Sequence, residues 1–134
     1  MSLDKALADI MMGVPDCVAA GWVDVNTGML LGVKTVDSHP QEVLDLVAAA
    51  TGDLFQGNNV ATIEKLFRQS RGVKEDGIHY FQEIIVNSDN LVHVFLRCKR
   101  NQDMVVVTVC RVSANLGMVL SKTRSSLPAI EAAA

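Results

Sequence analysis

The residues of this 134-residue chain with the most chemistry in them are three histidines and three cysteines. His39, His79 and His93, taken with Cys17, Cys98 and Cys110, are the raw material of a metal site or a thiol nucleophile. Their spacing argues against both. There is no C-x-x-C pair and no run with ligand spacing. His79 and His93 fall on neighbouring predicted strands, within reach of one another, whereas His39 belongs to a helix start. All three cysteines lie in apolar runs, where a free thiol behaves as a small core hydrophobe. Three widely spaced cysteines imply a reduced, cytoplasmic, metal-free protein. Asp24-Val-Asn26-Thr-Gly28 opens like a calcium loop, but its glycine comes one position early and its twelfth position is Thr35 in place of Glu. It is read as a hairpin turn. No P-loop, G-x-G-x-x-G, G-x-S-x-G or H-E-x-x-H motif is present, so neither a bound nucleotide nor any other cofactor is expected. The acids are scattered over helix faces and turns without a carboxylate pair for acid/base work, and no catalytic residue is assigned. The chain reads as no enzyme.

The elements that would position a site follow from the periodicity. Apolar residues make up 49% of the chain and only six residues are aromatic, enough for the core of a single domain spanning residues 1–134. Leu3, Leu7, Ile10 and Met11 mark a short amphipathic helix, ended by Gly13-Val-Pro15. Cys17–Asp24 and Met29–Val36 read as strands joined by a turn in which Gly28 supplies a positive φ. Asp37-Ser38-His-Pro40-Gln-Glu42 opens a helix, with Ser38 or Asp37 as cap and Pro40 in the first turn. That helix carries Val43, Val47, Ala50 and Leu54 on one face. Gly57-Asn58-Asn59 interrupts it, and Val60, Ile63, Leu66 and Phe67 resume helical spacing nearly opposite the first set. An unbroken helix from Pro40 to Ser70 would be about 46 Å long, so a break or kink near Gly57 is expected. Gly72–Gly77 is a polar connector. Strands at Ile78–Val86, Leu91–Cys98 and Met104–Arg111 follow, and a last helix opens at Ser113, its cap, with Leu116, Val119, Leu120 and Leu127 on its apolar side. The fold class is α/β (α+β): one antiparallel five-stranded sheet with helices on both faces, in the order αββαβββα. No apolar run approaches the ~18–20 residues of a membrane span, no signal peptide is visible, and a net charge of −3 argues against nucleic acid as a partner.

This order, with Gly13-Val-Pro15 before the first strand, the Gly28 hairpin, the Ala-rich Val47-Ala-Ala-Ala50 and above all Ala114-Asn115-Leu116-Gly117 at the last helix, resembles the roadblock/dynein light chain family over residues 3–130. Ser113, Asn115, Gly117 and Gly28 carry the resemblance as structural positions. For Asn115 the structural role is a bond to nearby backbone, and for Gly117 close approach of a strand or helix. The resemblance implies a non-enzymatic scaffold that dimerises through its central helix and an edge strand, and docks onto a small Ras-like GTPase or a motility or signalling complex. In that sheet order Ile78–Val86 is an edge strand without proline and with Glu83 as its one acid, where edges are usually blunted. A homodimer interface of Ile78, Tyr80, Gln82, Ile84 and Val86 with Phe55, Ile63 and Phe67 of the central helix is therefore expected. The basic groups Lys65, Arg68, Arg71, Lys74 and Arg97, Lys99, Arg100 read as ordinary surface, the sharper alternative being contact with an acidic partner or with a GTPase's phosphates. The competing class is a small-molecule sensor of the PAS type, which also has a five-stranded antiparallel sheet. It needs a ligand cavity, ordinarily lined by aromatics, and six aromatics supply few.

Overall fold

A computed structural model describes residues 2–74 and 77–134 of the chain; the centre of the Gly72–Gly77 connector lies outside the described residues. Helix α1 (Leu3–Gly13) starts where the Ser2 hydroxyl accepts the Lys5 N–H and turns Ala6, Leu7 and Ile10 inward. Strands β1 (Cys17–Asp24) and β2 (Met29–Thr35) form the predicted hairpin. In its turn the Asp24 carboxylate accepts the N–H groups of Asn26 and Thr27 at 2.9 and 3.2 Å, and Gly28 takes φ +74°. Helices α2 (Gln41–Gln56) and α3 (Asn58–Arg71) follow, then β3 (Glu83–Asn87), β4 (Leu91–Arg97), β5 (Met104–Arg111) and α4 (Leu116–Ala133).

Among the described residues the strands form one five-stranded sheet in the order β2-β1-β5-β4-β3, antiparallel at every pairing. Each face has its own core. On one, α1 and α4 cover Ala20, Trp22, Val92, Val94, Leu96, Val106 and Cys110. The buried Thr108 and Thr123 hydroxyls meet at 3.1 Å and anchor α4 to β5. On the other, Ala48 and Phe55 of α2 pack on Val23, Phe95, Val105 and Val107.

Five expectations are corrected. The run Ile78–Val86 is a strand only from Glu83, so Ile78, Tyr80 and Gln82 precede β3 in irregular chain. From His79 to Phe81 the backbone is taken by side chains in place of a ladder: Tyr80 N–H donates to Glu64 Oε2 at 2.7 Å, His79 N–H to Gln102 Oε1, and Phe81 C=O accepts from Arg97 Nε at 2.8 Å. The Gln82 C=O still accepts the Arg97 N–H at 2.8 Å. The last helix is capped by Asn115, whose Oδ1 accepts the Met118 N–H at 3.0 Å, and Ser113 lies before it. At Gly117 a Cβ would stand 3.3 Å from Asn115 Oδ1, and among the described residues no strand or other helix comes within 4 Å of it. The start of α2 falls at Gln41 behind Pro40, with no side-chain cap. Finally, α2 buries Ala48, Thr51, Gly52 and Phe55, and leaves Val43, Val47 and Leu54 exposed. Gly52 favours that choice of face: a Cβ there would stand a tight 3.1 Å from the Val25 carbonyl oxygen, so any larger residue would push the helix off the hairpin by a few tenths of an ångström.

Candidate interaction surface

The break that the sequence places near Gly57 is a one-residue hinge between α2 and α3, with Gly57 extended at φ −61°, ψ 167°. The geometry requires glycine, because a Cβ would come within 2.7 Å of the Asp53 carbonyl oxygen. Arg97 holds the hinge from below. This guanidinium, 2% exposed, donates to Phe55 C=O at 3.1 Å, to Gln56 Oε1 at 2.7 Å, and to the backbone carbonyls of Phe81 and Gln102. It also lies 5.1 Å from the centroid of the Phe55 ring. A cation thus satisfies one of the last carbonyls of α2, that of Phe55, where the helix dipole favours it. Burial lowers the Arg97 pKa, and the charges of Glu64 and Asp103 oppose that effect. Glu64, 4% exposed on α3, accepts from the Tyr80 N–H and faces His79 Nδ1 at 3.1 Å. These two buried charges join both helices to the segment before β3. The expectation that Arg97 is ordinary surface is corrected, and its pairing with Glu64 was not foreseen; the available signal was an arginine closing a largely apolar strand.

The framework presents a large apolar surface to solvent. Leu46 is 64% exposed, Leu66 57% and Phe67 51%, with Val43, Val47, Leu54 and Ile63 also exposed. Scattered apolar side chains are ordinary on a surface, but a run of seven along two consecutive helices makes this a candidate interaction surface. Phe67 meets Tyr80 edge to face at 5.5 Å and Arg68 lies 5.5 Å from the same ring's centroid, so α3 and the segment before β3 form one patch. Of the predicted interface residues, Ile63, Phe67, Ile78 and Val86 are exposed, and Tyr80, Gln82 and Ile84 are half-buried. Phe55 is fully buried against Phe95, so it belongs to the monomer's core. The exposed charges separate by helix: α2 carries Glu42, Asp45 and Asp53 and no base, whereas Lys65 and Arg71, with the half-buried Arg68 between them, lie on α3. Beside the patch, β3 is a sheet edge. Its one acid, Glu83, is gripped by both Arg124 Nε and a terminal nitrogen at 2.8 and 2.6 Å. That pairing holds the Glu83 carboxyl below its ordinary pKa and leaves the edge without a free acid.

A groove of about 730 Å³ opens between the first turns of α2 and the sheet. Its floor is low because Ala19 and Gly21 stand where larger residues would fill it, and its walls include Val33, Val47, Val107 and Val109. His93 lines it, stacked on Phe95 at 6.4 Å and 9°, with its pKa lowered by burial. His79 pairs with Glu64 instead, so the two histidines serve separate neighbours. Among the described residues no cluster of His, Cys, Asp and Glu is placed to hold a metal ion, and no helix is long and apolar enough to cross a membrane.

At the level of sequence, no family model and no curated protein matches the chain. Solved structures do. An MglB structure with a tetrameric arrangement superposes with TM-score 0.70 at 19% identity, covering 97% of this chain and 85% of that one. A roadblock/LC7 domain from Streptomyces avermitilis superposes with TM-score 0.67 at 14% identity, covering 98% and 97%. The chain has the roadblock/LC7 fold. MglC from Myxococcus xanthus, at TM-score 0.58 and 20% identity, covers 98% of each chain. In this roadblock fold the exposed α2–α3 patch and the β3 edge are contiguous, because the segment from Ile78 to Gln82 is tied to both.

Proposed function

We propose that the protein is a non-catalytic, cytoplasmic scaffold that forms a homodimer through the α2–α3 patch and the β3 edge, and that the paired surface receives a small Ras-like GTPase. The observation that carries the dimer is the exposed apolar stripe of Leu46, Val47, Leu54, Ile63, Leu66 and Phe67, running alongside an unblunted strand edge. Charge supplies the geometry. A two-fold axis near Gly57 sets the acidic α2 of one protomer against the basic α3 of the other, and symmetry makes that contact twice. The GTPase part is supported by the roadblock resemblance and by fold neighbours that include a protein described as a gliding protein.

Light scattering tests the dimer: the wild type is expected at twice the chain mass at tens of micromolar, and the pair Leu66→Asp with Phe67→Ser is expected as a folded monomer. A strict monomer in the wild type overturns the reading. Affinity capture from the native host, with GDP- and GTP-loaded extracts, tests the partner, and recovery of no GTPase in either state refutes it. The groove under α2 supports a second reading, a PAS-like small-molecule sensor, because its volume falls in the range of ligand sites, about 300–1,000 Å³. A small molecule retained through purification and seen in native mass spectra would favour it.

A further inference from the structure

Two of the three cysteines occupy a place that the scaffold reading leaves unused. Cys17, first residue of β1, stands opposite Cys110 of β5 in the antiparallel register. Directly opposed residues in such a pair have Cα atoms about 4.5–5.5 Å apart, inside the ~4.4–6.8 Å window of a disulfide. The side chains share a face. Cys110 is fully buried in the core under α1 and α4, and Cys17 packs at the margin of that core, half-buried. The register sets the two thiols side by side, and Cys17 donates to Ala19 C=O at 3.2 Å. Interaction with the Cys110 thiol lowers the Cys17 pKa, outweighing its partial burial, and the same interaction raises that of Cys110. Cys98, by contrast, is fully buried, with its thiol pushed up to about 12.

We propose that Cys17 and Cys110 are a peroxide-reactive dithiol that closes to an intrachain disulfide within the folded sheet. Cys17 is the attacking thiol because it is the accessible member of the pair. Its thiolate attacks one oxygen of a hydroperoxide, the O–O bond breaks, and the alcohol or water leaves with a proton from solvent. The product is a sulfenic acid on Cys17. Cys110 then attacks that sulfur, the S–O bond breaks, and hydroxide departs with the Cys110 proton as water. In sum, two thiols and one hydroperoxide give one disulfide, one alcohol (or water) and one further water. The register irregularity between Cys17 and Ala19 supplies the slack that the S–S bond needs, since the bulged end of a strand bends more readily than its middle. The crosslink ties the start of β1 to the end of β5 and closes a long loop, so it restricts the unfolded chain.

The test is hydrogen peroxide added to the reduced, folded protein, read by intact mass and by peptide mapping without reduction. The expected result is loss of two hydrogens from a single chain, mapped to a Cys17–Cys110 crosslink, with a higher thermal midpoint that dithiothreitol reverses. Cys17→Ser is expected to cut the yield at least tenfold, and Cys98→Ser to leave it unchanged. The wild-type map stands even if a Cys110 variant fails to fold. A crosslink through Cys98, a disulfide only between chains, a Cys17 sulfinic acid without loss of two hydrogens, or no reaction with peroxide overturns the proposal.

Discussion

At the scale of single residues, the polar groups that matter here are those the sheet and helices enclose. His93 sits on the β4 face beneath the groove, and burial lowers its pKa. Its imidazole is therefore more easily protonated in the unfolded chain than in the fold. Between the lowered folded value and the ordinary value near 6.5, the unfolded state binds more protons, so stability rises with pH. The contribution is complete above about pH 6.5 and is lost as pH falls through the folded value. In urea titrations at a series of pH values, the wild type is expected to weaken on acidification from neutrality, and His93→Gln to weaken less steeply over the same window. Equal slopes would assign the acid sensitivity to other groups. The sequence places His93 on the right strand, but its neighbours depend on which residues share a face across β4. The i, i+2 spacing on β4 already puts His93 and Phe95 on one face, whereas the separate pairing of His79 with Glu64 is not visible from spacing. Glu64 and Arg97 were hidden for the same reason: their partners are distant in the chain, and a buried charge is legible only once those partners are placed.

At the scale of elements, the interruption near Gly57 is readable because Gly-Asn-Asn is local information, and local information suffices to end a helix. The buried face of α2 is not readable that way. The stripe of Val43, Val47 and Leu54 is more apolar than the face of Ala48, Thr51, Gly52 and Phe55 that packs on the sheet, so periodicity alone favours the outward side. The choice is made by close approach, with Gly52 against the hairpin and Phe55 against Phe95. Strand β3 is shortened by a similar nonlocal effect, since Glu64, Arg97 and Gln102 take the backbone partners that a ladder would need. The hinge itself gives a clean prediction. Gly57→Ala forces a methyl group against the Asp53 carbonyl oxygen, and an unrelieved overlap of that kind costs about 1–3 kcal/mol. Gly13→Ala is the control. A Cβ there meets nothing within 4 Å, and at the end of α1 it is expected to be neutral or to stabilise by up to about 1 kcal/mol. Urea midpoints at constant slope separate the two; a Gly57→Ala protein as stable as the wild type would mean that the hinge relaxes without cost.

At the scale of the whole molecule, the apolar surplus of the composition and the division of charge between α2 and α3 bear on one question, namely how two copies meet. The proposed two-fold arrangement places Asp45 and Asp53 of one protomer facing Lys65 and Arg71 of its partner, around the apolar stripe. Rim charges of this kind set register and association rate more than total affinity, so their removal should weaken the dimer without abolishing it. The double reversal of Lys65→Glu with Arg71→Glu sets like charges together on both sides of the axis. It is expected to raise the dissociation constant about tenfold or more, equivalent to at least about 1.4 kcal/mol, with the effect shrinking in high salt. Mixing that variant with Asp45→Lys/Asp53→Lys protein restores opposite charges across one mixed dimer. Sedimentation of the mixture should then recover tight association that neither variant shows alone. If the reversed protein dimerises as the wild type does, the helices meet in another register while the apolar stripe still drives association. If it fails to dimerise and the mixture fails too, the loss comes from disturbed packing rather than from charge. Only rescue in the mixture ties the acidic helix of one protomer to the basic helix of the other.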